Sequence, residues 1–197
     1  LVQADNPEVA IATTRALAKG GLTVIEVVLR TQAALDCLAA LCELDDDLIV
    51  GAGTVLSASQ ANEVLDRGAK FIVSPGLDEA TVGIAQDAQV PVFPGTMTPS
   101  EVMRARNLGV SVVKFFPASI AGGTPALKTF GSVFGDMKFM PTGGVSAKNL
   151  PDFLALKNVL ACGGSWLTPA AAIAAGDYDE VTRLAREAVA IAAAVGE

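Results

Sequence analysis

The sequence predicts an α/β fold, a closed (β/α)₈ or TIM barrel, on three observations. Short β-rich apolar runs alternate with longer helical patterns along all 197 residues. The centres of the runs recur at a nearly constant step, close to the length of one βα unit. Polar residues also stand in the interior of otherwise apolar strands, which suits a barrel whose inner face gathers functional groups. An open doubly wound sheet would bury both faces under helices and leave such residues poorly accommodated.

The elements follow in order. Leu1-Val2-Gln3 reads as the tail of a strand truncated at its N-terminus. Asn6-Pro7-Glu8 opens a helix that closes at Lys19-Gly20-Gly21, with proline at its start and glycine at its end. Strands are then expected at 23–29, 48–52, 70–73, 90–93, 111–116, 138–140 and 159–162. Their centres, Glu26, Val50, Ile72, Val92, Lys114, Phe139 and Leu160, lie 24, 22, 20, 22, 25 and 21 residues apart. Between them, Thr98-Pro99-Ser100-Glu101 has the spacing of a capping box. Ser57 or Ser59, Asp78 and Ser146 are further candidate caps, and 177–195 reads as a long final amphipathic helix. No linker or low-complexity stretch divides the chain, so the expectation is one barrel domain over 1–197.

Composition narrows the chemistry. There is no histidine, which removes Ser-His triads, histidine metal sites and imidazole acid–base catalysis together. Proton transfer is left to carboxylates, lysine, tyrosine or water. The formal net charge of −7 argues against nucleic acid and anionic membranes as partners. No apolar run reaches the length of a membrane span. Three cysteines without a CxxC, and no legible secretory leader, point to a reducing cytoplasm.

Lys114 is the residue that stands out. It lies inside Ser-Val-Val-Lys-Phe-Phe-Pro, whereas the other six lysines fall in helices, near helix ends or at strand starts. An ammonium among such neighbours is costly to desolvate, so its pKa drops and the neutral, nucleophilic amine becomes available. Glu26, within Val-Ile-Glu-Val-Val, is the matching proton carrier. The plain alternative for both is a structural ion pair inside the barrel. Arg30 shares the strand face of Glu26 and Val28 and reaches the C-terminal mouth, where a guanidinium suits a carboxylate; a solvated surface arginine is its plain alternative. Two glycine pairs, Gly143-Gly144 and Gly163-Gly164, end the last two strands, where barrels often bind phosphate through backbone N–H groups. Gly51-Ala52-Gly53-Thr54 and Ser74-Pro75-Gly76 read as further strand-end turns.

With these residues in place the chain resembles the 2-keto-3-deoxy-6-phosphogluconate (KDPG/KHG) aldolase family. The carriers are Val-Ile-Glu-Val-Val-Leu-Arg-Thr at 24–31, Gly-Ala-Gly-Thr-Val-Leu at 51–56, Phe-Ile-Val-Ser-Pro-Gly at 71–76, Lys-Phe-Phe-Pro-Ala at 114–118, Pro-Thr-Gly-Gly at 141–144 and Gly-Gly-Ser-Trp-Leu at 163–167. The resemblance implies a class I aldolase with Lys114 as the imine-forming lysine and Glu26 as general acid/base. It implies that Arg30, Thr54 and the Pro75 turn hold the substrate carboxylate. Phe116 would pack beside the imine and Thr142 would touch the substrate hydroxyls, with phosphate bound at Gly143, Gly144, Gly164 and Ser165. No metal and no cofactor beyond the covalent lysine imine are implied. The expected partner is a phosphorylated 2-keto acid, and the expected assembly is a homotrimer. Ser119 departs from the family pattern, where glutamate commonly follows Phe-Phe-Pro-Ala; little effect on the core chemistry is expected. Cleavage of 4-hydroxy-2-oxoglutarate is expected beside that of the phosphorylated substrate. Two other classes stay open: a phosphosugar isomerase or epimerase that uses Glu26 without a covalent lysine, and a non-catalytic phosphometabolite-binding or assembly barrel.

Overall fold

The computed structural model describes residues 1–44 and 47–196. Its strands are β1 (Val24–Val28), β2 (Ile49–Gly53), β3 (Ile72–Val73), β4 (Val92–Phe93), β5 (Gly95–Thr96), β6 (Val112–Phe115) and β7 (Lys138–Pro141). The helices are α1 (Pro7–Lys19), α2 (Ala34–Cys42), α3 (Ala58–Asp66), α4 (Glu79–Asp87), α5 (Pro99–Asn107), α6 (Gly123–Val133), α7 (Leu150–Leu154), α8 (Ala170–Ala175) and α9 (Tyr178–Gly196). The strands pair in parallel, in the orders β1-β2-β3-β4 and β5-β6-β7.

These two sheets are arcs of one (β/α)₈ barrel. β4 and β5 are a single stave interrupted at Pro94, which has no N–H to give to the ladder but whose carbonyl accepts from Lys114 N–H at 3.0 Å. β4 pairs with β3 and β5 with β6, so the break passes the ladder from one side to the other. Val2 pairs with Val27 and supplies the first stave. The eighth is 159–163, joined to β7 by bridges Phe139–Val159 and Thr142–Gly163. The Leu1 nitrogen lies 3.4 Å from the Gly164 carbonyl and links eighth to first. The expected run at 159–162 is thus too weakly paired to be a continuous strand, though Leu160 N–H still reaches Phe139 O at 3.0 Å.

Alternation along the staves decides what faces the centre. Ile25 and Val27 sit in the core between barrel and helices, as do Val113 and Phe115 on β6. Behind β6 and β7 an aromatic cluster fixes the outer face. Phe115 meets Phe130 of α6 edge-on with ring centroids 5.8 Å apart, and Phe139 lies 5.8 Å from the same ring. Such pairs add about 0.5–1.5 kcal/mol each beyond the area they bury. They also commit Lys114 and Phe116 to the inner face.

The caps agree with the sequence in most places. Asn6 accepts from Val9 N–H, Ser57 from Gln60 N–H and Asp78 from Thr81 N–H. Thr98 and Glu101 close a full capping box. Ser146 is the exception: it caps nothing, and its own N–H is held by Asn149 Oδ1 at 2.8 Å. The glycines of 51–53 belong to β2 instead of a turn, because the Phe71 ring packs where a Gly51 side chain would stand. The short α8 adds a helix that the strand spacing does not predict, and α9 fills the expected final helix, with Asp177 accepting from Glu180 N–H. Among the described residues no helix is long and apolar enough to cross a membrane.

Candidate active site

Lys114 projects from β6 into the barrel and is buried, with 4% of its surface accessible. Burial is the largest influence on it and lowers the pKa of its amine; the Glu26 charge pulls the other way, and Arg30 pushes it down further. Its Nζ stands 5.0 Å from the Phe116 ring centroid, so the residue just past the end of β6 forms one wall of its pocket.

Glu26 comes from β1. Its carboxylate leans over Gly53 of the neighbouring stave, where a Cβ would fall only 2.5 Å from the carboxyl carbon. Glycine makes that room. Oε1 is buried and has no hydrogen-bond partner, a costly state for a carboxylate oxygen unless a ligand or water completes it. Below it an apolar cavity of about 440 Å³ runs from Glu26, Thr142 and Gly163 down to Val24, Ile49 and Pro91 at the N-terminal ends of the staves. Glu26 and Lys114 form no direct ion pair among the described residues; the lysine feels the carboxylate through its field.

Arg30 lies just past β1, after a tight bend in which its N–H donates to Val28 O at 2.8 Å. It lines a second cavity of about 480 Å³ at the mouth, together with Gln3, Ser165 and Thr168. Thr54 follows β2 with φ at +60°, a left-handed conformation that a β-branched residue adopts only under strain of about 1–3 kcal/mol. Pro75 sits in a turn closed by Ser74 Oγ donating to Gly76 O at 2.7 Å, and its backbone packs against Gly95 so closely that no side chain fits there. Thr142 is buried at the end of β7 and leans on Gly163, where a Cβ would come within 2.6 Å of its Oγ1.

The bridge Thr142–Gly163 brings the two glycine loops side by side. Gly143 and Gly144 have φ of +93° and +78°. The Trp166 ring fills the space beside Gly164 that a side chain would need. Among the described residues the N–H groups of Gly143, Gly144, Gly164 and Ser165 donate to no protein acceptor. Gly164 is buried and Gly143 half-buried, where unpartnered N–H groups are rare, while Gly144 and Ser165 are exposed. Neighbouring free N–H groups of this kind suit an anion.

The structure therefore brings Lys114, Glu26, Phe116 and Thr142 to one interior and sets Arg30 and Ser165 together at its mouth. Sequence reasoning missed Gly53 as the space for Glu26, and Gln3 as a member of the mouth. Strand alternation carried the signal for Gln3, since Val2 is buried outward beside Val27. Among the described residues no group of three or more Cys, Asp or Glu gathers as a metal site.

A closed parallel barrel with a desolvated amine and a carboxylate on the inner face of its strands has the make-up of a barrel enzyme that works through an amine. The chain belongs to the KDPG and KHG aldolase family, whose profile matches residues 1–184. It is 48% identical over 182 residues to the KHG/KDPG aldolase of Escherichia coli K12, a match that covers 92% of this chain and 85% of that one. In structure it is similar to the KDPG aldolase of Legionella pneumophila with pyruvate captured as a covalent carbinolamine, at TM-score 0.91 and 38% identity, covering 94% of this chain and 90% of the other. The Zymomonas mobilis ZM4 aldolase with 3-phosphoglycerate superposes at TM-score 0.88 and 39% identity, over 95% and 88% of the two chains.

Proposed function

We propose that this protein is a class I aldolase that cleaves 2-keto-3-deoxy-6-phosphogluconate to pyruvate and glyceraldehyde 3-phosphate, with 4-hydroxy-2-oxoglutarate as a second substrate yielding pyruvate and glyoxylate. The observation that carries this reading is the buried Lys114 amine, held below its ordinary pKa by desolvation, across from an unpartnered Glu26 oxygen. The carbinolamine of the Legionella relative supports a covalent route with pyruvate. The 3-phosphoglycerate of the Zymomonas relative supports a phosphorylated three-carbon unit in the same kind of barrel.

In this mechanism neutral Lys114 attacks the C2 ketone, and loss of water gives an iminium ion. Glu26 accepts the C4 hydroxyl proton, the C3–C4 bond breaks, and its electron pair flows into the iminium to form an enamine. Glyceraldehyde 3-phosphate leaves, C3 takes a proton, and hydrolysis releases pyruvate and the free lysine. Arg30, Thr54 and the Pro75 turn hold the C1 carboxylate, Phe116 packs beside the imine, and Thr142 meets the substrate hydroxyls. The free N–H groups of Gly143, Gly144, Gly164 and Ser165 take the phosphate. The lysine imine serves as the electron sink, so the reaction calls for no metal or external cofactor.

The working protein is proposed as a homotrimer of single barrels spanning 1–197, in the cytoplasm, where the unpaired Cys37, Cys42 and Cys162 suit a reducing medium. Borohydride reduction in the presence of pyruvate, followed by peptide mass spectrometry, tests the chemistry. A pyruvyl adduct on Lys114, absent in Lys114→Ala together with turnover, is expected. Cleavage by Lys114→Ala at the wild-type rate would sink the covalent mechanism and leave the isomerase and binding-protein classes.

A further inference from the structure

The loop after β7 is held by two neighbouring segments. Ala118 N–H donates to Thr142 O at 2.8 Å, and Ser119 N–H donates to Gly143 O at 3.0 Å. Ser119 Oγ gives the same carbonyl a second bond at 3.2 Å. Asn149 Nδ2 donates to Gly144 O at 2.9 Å, while its Oδ1 takes Ser146 N–H at 2.8 Å. Asn149 stands at the N-cap position of α7, yet its side chain caps nothing there and reaches back to the glycine loop instead.

Three successive carbonyls, Thr142, Gly143 and Gly144, are thus occupied by protein donors. In a planar trans peptide the C=O and the following N–H point in opposite directions. Each fixed carbonyl therefore turns the N–H that follows it, of Gly143, Gly144 or Val145, away from the donor that holds that carbonyl, and none of the three donates within the protein among the described residues. Consecutive N–H groups aimed away from their own scaffold form an anion-binding nest. Glycine is needed at its centre: φ is positive, and a Cβ on Gly144 would come within 2.6 Å of Ser119 Cβ.

We propose that Ser119 and Asn149 are positioning residues that preset this nest for the phosphate of the substrate, a role that rests on the phosphate reading of the proposed function. Ser119 lies five residues beyond Lys114 on the loop that follows β6, so the loop of the catalytic lysine also sets the anion site.

The test compares Ser119→Ala, Ser119→Thr and Asn149→Ala with wild type. Each alanine variant removes the side-chain donor from one carbonyl, and each is expected to raise KM for the phosphorylated substrate about fivefold, the equivalent of about 1 kcal/mol for one neutral hydrogen bond. Inhibition by inorganic phosphate should weaken by the same factor. The kcat, the pyruvate trapping on Lys114 and KM for 4-hydroxy-2-oxoglutarate should hold, and Ser119→Thr should restore KM. Phosphate inhibition and KM within twofold of wild type in both alanine variants would overturn the proposal. A wild-type protein that traps pyruvate but ignores inorganic phosphate and the phosphorylated substrate would overturn the phosphate reading itself, and this role with it.

Discussion

Gly53→Ala should separate imine formation from carbon–carbon cleavage. A Cβ at that position would fall 2.5 Å from Glu26 Cδ and 2.7 Å from Cγ, and nearer still to Oε1. Real Cβ atoms do not approach other heavy atoms within 3.0 Å, so the carboxyl carbon must retreat by at least about 0.5 Å, from 2.5 to 3.0 Å. Oε1 must move further. A displacement near 1 Å of a reacting group costs about 10²-fold in rate, and the whole contribution of a general base is about 10²–10⁴-fold. The expected loss in kcat is therefore about 10²-fold, or about 2.7 kcal/mol of barrier. Little stability should be lost, since the yielding atoms are the end of a side chain and alanine recovers about 0.5–1 kcal/mol over glycine in a strand. The assay is a coupled measurement of aldehyde release, run beside borohydride trapping with pyruvate and a thermal melt. An unchanged kcat with intact fold would refute Glu26 as the proton carrier; loss of trapping together with kcat would show that the alanine disturbs Lys114 instead.

The surroundings of Lys114 set two further outcomes. Trapping needs the neutral amine, so its rate rises through the lysine pKa. Glu26→Gln removes an upward pull and should move the acid limb of the pH–rate profile to lower pH, whereas Arg30→Met removes a downward push and should move it to higher pH. Shifts in the same direction, or none, would contradict the opposed influences of these two charges. Stability provides the companion measurement. Because the folded pKa of Lys114 lies below the ordinary lysine value of 10.5, the unfolded chain holds more protons between the two values, and stability rises with pH across that window. Relative to Lys114→Met, wild type should gain up to about 1.4 kcal/mol per pH unit within it. Urea unfolding between about pH 7 and the ordinary lysine value reads this directly, and parallel curves would refute it.

Most of the barrel was legible because a βα unit leaves a repeat in the chain. Spacing alone located the staves around Glu26, Val50, Ile72, Val92, Lys114 and Phe139. What it could not show were features settled by contacts between staves. Pro94 divides one stave because a missing N–H matters only once a neighbour demands it. Gly53 reads as part of a turn, since nothing in the sequence says that a carboxylate from 27 residues earlier leans over it. Likewise Ser119 reads as a neutral departure from a family pattern until its bonds to Gly143 are seen. The burial of Lys114 was legible as well, because it is the one lysine that the sequence sets inside an apolar strand, and the structure buries it.

The hold of Phe130 on both Phe115 and Phe139 has a meaning for how the catalyst can go wrong. On β6 neighbours face opposite ways, so the aim of Lys114 and the anchoring of Phe115 are one and the same choice of register. A slip by a single residue would drive an aromatic ring into the substrate cavity and strand the amine among the helices. Such a slip would forfeit the packing of both rings on Phe130, so the apolar outer face favours the register that aims the amine inward. The molecule's quality control thus sits on the side that the chemistry never touches.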